Sequence, residues 1–208
     1  IKNENLKLFV LTNYHKEFLF NENIRKNNVE VVPNYFKIEN SNPKNKEEKY
    51  LVYAGRISEE KGVKELISSF LNASINDMSL KIIGKGPLLD SLIREYDNSS
   101  IEFLGEKSNS ETLKIISKSM AVVTATKLYE GQPVLLCEAS SLGIPAIFPD
   151  TGGIKEFFPD SYSLSFKQFD YKELTAKLQN LSNQDSMKKI GEENKQFIKD
   201  YLDGDYLI

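Results

Sequence analysis

The segment Glu130 to Glu138, reading EGQPVLLCE, places two carboxylates around a turn and a helix start. Gly131 supplies the turn, and Pro133 suits a first helical position. At a rise of about 1.5 Å per residue, Glu138 then lies roughly 7 Å along the helix axis from Pro133. Its neighbours Leu135, Leu136, Cys137, Ala139 and Leu142 are apolar or nearly so. A carboxylate in such company is costly unless hydrogen-bond donors satisfy it, and a ligand with two adjacent hydroxyls would supply them. Glu130, outside the helix start, would meet another part of the same ligand. The same residues also fit a carboxylate on the wet edge of an amphipathic helix and an ordinary loop acid.

Three other loops carry residues of interest. GRISEEKG at 55–62 sets Arg56 and Lys61 beside the start of a helix, where two cations suit a phosphate or diphosphate. Solvated surface charge is the alternative. The loop is not a P-loop, because Gly62 is followed by Val63 where that motif needs Lys. In GKGPLLD at 84–90, Gly84 and Gly86 would let a ligand approach the backbone, although a plain turn fits equally well. The dinucleotide fingerprint would need a small residue at Leu89, so hydride transfer is disfavoured. Gly152 and Gly153 precede a short helix, in a pattern shared by anion-binding turns and simple turns. With a single cysteine, Cys137, and a single histidine, His15, a zinc site is not expected. His15 reads as a helix-surface residue, and Phe197 and Tyr201 as packing on one helix face.

These loops need a scaffold, and the pattern around them describes one. Short apolar runs, YLVYAG, SLKIIG, IEFLG, MAVVTA and IPAIF, alternate with helices expected near 61–73, 88–96, 110–118 and 133–142. Such alternation implies an α/β fold with a Rossmann-like, doubly wound parallel sheet, whose ligands bind beyond the carboxyl ends of the strands. Further helices are expected at about 170–181 and 184–202. Upstream, LKLFVL, a helix over 14–20 and EVVP form one strand–helix–strand unit. IENSNPKNKEEK then reads as an exposed linker. The expected organisation is a unit at 1–36, a linker at 37–49 and a main domain at 50–208.

The chain has 208 residues with a 40% hydrophobic share, enough for a full core, which excludes disordered and collagen-like classes. The balance of 27 basic and 30 acidic residues gives −3, no field that argues for nucleic acid. A lone cysteine and short apolar runs suit a soluble protein of a reducing, cytoplasmic compartment. The opening Ile and the lack of a signal-peptide pattern read as a piece of a longer protein.

Taken in order, GRISEEKG, IIGKGP, IEFLG, EGQPVLLCEASSLGIPAI and TGGIKE resemble the C-terminal, donor-binding domain of retaining nucleotide-sugar glycosyltransferases of the GT-B fold, the group 1 family. The resemblance covers about residues 50–160, and its most specific element is the glutamate pair followed by Ala139, Gly143, Pro145 and the double glycine. Residues 6–36 are similar to the end of the family's acceptor domain, with Val32, Pro33 and Asn34 before the linker; most of that domain would be missing. The family usually continues with Gly, where this chain has Tyr35 and Phe36.

The resemblance implies that Arg56 and Lys61 bind the donor diphosphate and stabilise charge on the departing nucleotide. It implies that Glu138 holds the ribose hydroxyls, and that Gly84 and the loop Gly105 to Lys107 border the nucleobase. Glu130 would contact the sugar near its reacting carbon, with Gly131, Gln132, Pro133 and Val134 lining the sugar through backbone N–H groups. Loss of Glu138 should then weaken nucleotide binding, whereas loss of Glu130 should leave it nearly unchanged and depress transfer. No metal or cofactor is expected; the donor would be a UDP-sugar or GDP-sugar. The acceptor, a glycan or lipid-linked sugar, would be bound through the missing N-terminal domain, with peripheral membrane contact open to the full-length protein. Gln132 departs from the aromatic residue frequent at its position, and DSYSLSF lacks the glycine usual before the apolar strand. Two alternatives remain on the sequence: a non-catalytic nucleotide-sugar binding module, and a nucleotide-sugar epimerase of the same fold.

Overall fold

A computed structural model describes residues 7–22, 28–34, 49–96, 100–182 and 184–203. Apart from Lys49, the expected linker lies outside the described residues, as do Leu6, Tyr35 and Phe36. The N-terminal unit comprises β1 (Leu8–Val10), α1 (Asn13–Asn21) and β2 (Val29–Val31), its two strands pairing in parallel. The main sheet contains β3 (Tyr50–Ala54), β4 (Ser79–Ile83), β5 (Ile101–Gly105), β6 (Ala121–Val123), β7 (Ala146–Asp150) and β8 (Ser165–Lys167). Its order is β5-β4-β3-β6-β7-β8, and each adjacent pair is parallel. The chain runs outward from β3 to β5 and then returns to place β6 on the other flank of β3. The strand order therefore reverses between β3 and β6, and a crevice opens there beyond their carboxyl ends.

The strands alternate their buried side chains between two helical layers, as a period of two requires. Leu51 and Tyr53 of β3 face a core shared with α2 (Val63–Ala73) and α6 (Tyr171–Gln179); Tyr50 and Val52 face one shared with α4 (Asn109–Ile116), α5 (Val134–Ser141) and α7 (Gln184–Asp203). In α2, Val63, Leu66, Ile67, Phe70 and Ala73 form a buried stripe at helical spacing. Ser108 and Glu111 form a reciprocal capping box that fixes the start of α4. A shorter helix, α3 (Leu89–Glu95), follows β4 and contributes the buried Leu92.

Two boundaries shift from expectation, with consequences for the crevice. The helix expected from residue 61 begins at Val63, because Lys61 ends a short 3-10 turn and Gly62 adopts a left-handed conformation at φ 65°. A β-carbon on Gly62 would lie 2.0 Å from the Ala125 carbonyl oxygen, so the turn and the loop after β6 touch backbone to backbone. Likewise α5 starts at Val134, with Pro133 just outside it at φ −84° and ψ 78°.

The edge strand β8 forms without the customary glycine. Phe166 is buried, and the Tyr162 hydroxyl both accepts from the Ala146 N–H at 2.9 Å and donates to the Ala146 carbonyl at 2.5 Å. Phe148, Phe158 and Tyr162 pack ring on ring, with centroids 4.4 to 5.4 Å apart. That cluster packs the segment leading into β8 against β7.

Candidate functional site

The crevice contains two adjoining cavities, of about 880 and 290 Å³. Ala54, Gly55 and Leu135 line both, so the exit of β3 forms the wall between them. The larger cavity is bordered by Arg56, Gly84, Glu106, Lys107 and Asn109; the smaller by Lys61, Thr126, Glu130, Gln132, Pro133 and Val134. Most of the sequence-predicted residues thus converge, although they come from loops after four different strands.

The smaller cavity is organised by an ion pair. Lys61 Nζ lies 2.6 Å from Glu130 Oε1, with each side chain 28% exposed, and Thr126 Oγ1 donates to the same oxygen at 2.9 Å. Their loops meet because β3 and β6 are neighbours in the sheet, although the two residues are 69 positions apart. A second ion network ties the same loops together. Lys127 bridges Glu59 and Glu65, and its N–H donates to the Glu60 carbonyl at 2.9 Å. The carboxylates of Glu59 and Glu65, through their hydrogen bonds, hold the Lys127 ammonium in its charged form well above the usual lysine range. Below the pair, Tyr53 donates its hydroxyl to the Arg56 carbonyl at 2.7 Å. Burial, reinforced by the negative charges of Glu130 and Glu60, pushes that phenol far up.

The geometry also shows what several of the expected site residues touch within the protein. Gly84 and Gly86 border the larger cavity and face neighbouring backbone as well: β-carbons there would lie 1.9 Å from the Gly55 carbonyl oxygen and 2.2 Å from that of Ile57. The Gly84 N–H already donates to the Gly105 carbonyl at 2.9 Å. These glycines therefore let one loop approach another at the edge of the larger cavity. Gly105 itself sits at φ 66°, with open space where a β-carbon would project, and does not line either cavity.

Glu138 is half-buried on α5, not enclosed in apolar surroundings, and Asn109 Nδ2 donates to its Oε1 at 3.1 Å. It reaches the larger cavity through Asn109, which lines it. Gln132 borders the smaller cavity with its amide paired to Asn34: its Oε1 accepts from the Asn34 N–H at 2.5 Å and its Nε2 donates to the Asn34 carbonyl at 2.9 Å. Of the backbone donors expected between Gly131 and Val134, Pro133 has none and the Val134 N–H donates to the Gln132 carbonyl at 3.0 Å. His15, expected on an open helix surface, is half-buried, and its Cε1 lies 2.6 Å from where a Gly131 β-carbon would stand. Sequence reasoning also missed Thr126 and Asn109, whose partners are distant or fixed only by loop shape. The one local clue for Thr126 is its place four residues before Glu130.

Among the described residues no group of three or more His, Cys, Asp or Glu side chains could hold a metal ion, and no helix is long and apolar enough to cross a membrane.

A parallel sheet with its reversal point at a Lys–Glu pair defines a doubly wound ligand-binding domain, and comparison with known proteins says which kind. Residues 34–197 match the family described as Glycosyl transferases group 1, so the chain belongs to that family. It is similar to the uncharacterized glycosyltransferase MJ1178 of Methanocaldococcus jannaschii, with 28% identity over 155 residues, 72% of this chain and 43% of that protein. It is also similar to the amylovoran biosynthesis glycosyltransferase AmsD of Erwinia amylovora, with 26% identity over 193 residues, 88% of this chain and 54% of that protein. The chain spans about half the length of these relatives. Among solved structures it superimposes on a mutant of S. aureus TarM in complex with fondaparinux, alpha-GlcNAc-glycerol and UDP. The TM-score is 0.83 at 20% identity, covering 93% of this chain and 40% of TarM. The fold is thus that of GT-B glycosyltransferases.

Proposed function

We propose that this chain is the donor-binding half of a retaining glycosyltransferase that takes a sugar from a nucleoside-diphosphate sugar. One observation carries the reading: Lys61 and Glu130 meet at the reversal point of the sheet, beside a larger cavity that Arg56 and Lys107 border. The UDP bound by TarM supports a diphosphate donor. The AmsD relative supports an acceptor of the polysaccharide type, glycan or lipid-linked, engaged in the whole protein.

Arg56 and Lys61 would neutralise the diphosphate as negative charge grows on it during departure. Thr126 and Lys61 both occupy Oε1 of Glu130, so Oε2 is the oxygen to turn toward the sugar. The bond from the anomeric carbon to the phosphate oxygen breaks, and the acceptor oxygen bonds that carbon on the same face. The acceptor proton passes to the departing phosphate oxygen. No metal is needed in this scheme, because fixed cations do the neutralising. The whole protein would work in the cytoplasm, with peripheral membrane contact if its acceptor is lipid-linked. Calorimetry with UDP and GDP in EDTA tests the core of the proposal: binding of at least one is expected, and absence of heat from both at millimolar ligand overturns it.

A further inference from the structure

The N-terminal unit is fastened to the main domain at the two glycine turns that flank Glu130. On one side, Gly131 is covered by Leu11 and His15, whose nearest atoms lie 3.6 and 2.6 Å from where its β-carbon would project. On the other, Gly153 faces Thr12, whose Cγ2 lies 2.5 Å from the corresponding point, and Thr12 is fully buried. The Gly153 N–H in turn donates to the Glu130 carbonyl at 2.8 Å. The backbone of Glu130 is therefore held between surfaces on which residues of the N-terminal unit are seated.

Two side chains of the main domain hold that unit in place. Glu156 caps α1 from across the boundary. Its Oε2 accepts from the Asn13 N–H at 2.7 Å and Asn13 Nδ2 at 3.0 Å, and its Oε1 accepts from the Tyr14 N–H at 2.8 Å. A carboxylate on the free N–H groups of a helix start is favoured both by hydrogen bonding and by the helix dipole. Gln132 grips the other end of the unit by pairing both ends of its amide with the backbone of Asn34. Each of the two residues joins positions 98 to 143 residues apart.

We propose that Glu156 and Gln132 are positioning residues for Glu130: by clasping the N-terminal unit onto the Gly131 and Gly153 turns, they set where the sugar-facing carboxylate stands. This rests on the reading of Glu130 as the sugar contact. Its consequence is that sugar binding weakens when the N-terminal unit is unseated, whereas the bare nucleotide, which gains Lys61 as Glu130 withdraws, does not weaken.

Glu156→Ala, Glu156→Gln and Gln132→Ala in the full chain test this, each first shown to melt in one cooperative transition. Hydrogen exchange should quicken in α1 and also at residues 130–134 in the Ala variants, with Glu156→Gln intermediate because its amide oxygen restores one acceptor. A panel of UDP- and GDP-sugars identifies the donor the parent chain binds most tightly. In Glu156→Ala and in Gln132→Ala the ratio of that donor's affinity to its bare nucleotide's should fall threefold or more, with the bare nucleotide binding no more weakly than to the parent chain. Faster exchange confined to α1, or donor and nucleotide weakening together, overturns the positioning role. If the parent chain binds no nucleotide, the proposed function fails, and the exchange at 130–134 still decides whether the clasp holds the loop.

Discussion

Replacing Glu130 by Gln should tighten, not preserve, the binding of a bare nucleoside diphosphate. The Glu130 carboxylate occupies the ammonium of Lys61 at 2.6 Å, the same cation assigned to the diphosphate. An arriving phosphate must share Lys61 with a negative neighbour. Two unit charges about 6 Å apart repel by roughly 3 kcal/mol at an effective dielectric of ~20. Solvent reaching side chains that keep 28% of their exposure reduces this to on the order of 1 kcal/mol, about a fivefold change in affinity. The amide keeps the shape and can still accept from Thr126, so the charge alone is removed. Calorimetry with UDP and GDP should show the gain at low salt and its decline as salt is raised. Lys61→Ala should act oppositely, weakening the same ligands by about tenfold or more through loss of a charge-assisted hydrogen bond. Unchanged or weaker binding by a folded Glu130→Gln variant refutes the reasoning, because it means the two groups do not compete for Lys61.

Three further outcomes follow from the geometry. Glu138→Ala should lower nucleoside diphosphate affinity by roughly 1.5 to 3 kcal/mol, with Asn109→Ala showing a smaller loss in the same titration; equal affinity in Glu138→Ala would remove Glu138 from the ribose role. Gly62→Ala should cost about 2 kcal/mol or more in denaturant unfolding, since it combines a left-handed backbone with a carbonyl 2.0 Å from the new methyl; a change under about 0.5 kcal/mol would contradict the contact. Burial pushes the Cys137 thiol far up, with Glu138 adding to the shift. The unfolded chain releases that proton above about pH 8.5 while the folded chain keeps it, so stability should decline as pH rises past that value. A thiol reagent at neutral pH should then find no reactive group in the folded chain and one after denaturation; rapid native labelling would show that the thiol is accessible.

The alternation of apolar strands with helices was legible in the sequence because each element's pattern is local. YLVYA buries side chains on two faces, and α2 shows its stripe at helical spacing, whatever lies beyond them. The loops that carry Arg56, Lys61 and Glu130, and the helix that carries Glu138, were legible too, since a parallel sheet places strand exits at one edge. What those side chains bind within the protein was not. Lys61 meets Glu130 only because the chain returns from β5 to set β6 beside β3, and no spacing along the sequence encodes that return. The glycines at 84 and 86 suit a ligand loop or a plain turn, and only the tertiary structure shows that they border the larger cavity while making room for neighbouring carbonyls. The partners of Gln132 and His15 were not legible for a related reason: Asn34 and Gly131 lie across the boundary between the N-terminal unit and the main domain. Periodicity reports the face a residue lies on, whereas its partner depends on how separate pieces pack. The sequence therefore determined the elements, their order and the edge where chemistry would gather. The packing of loops from non-consecutive strands decided which charges pair there and which side chains hold them.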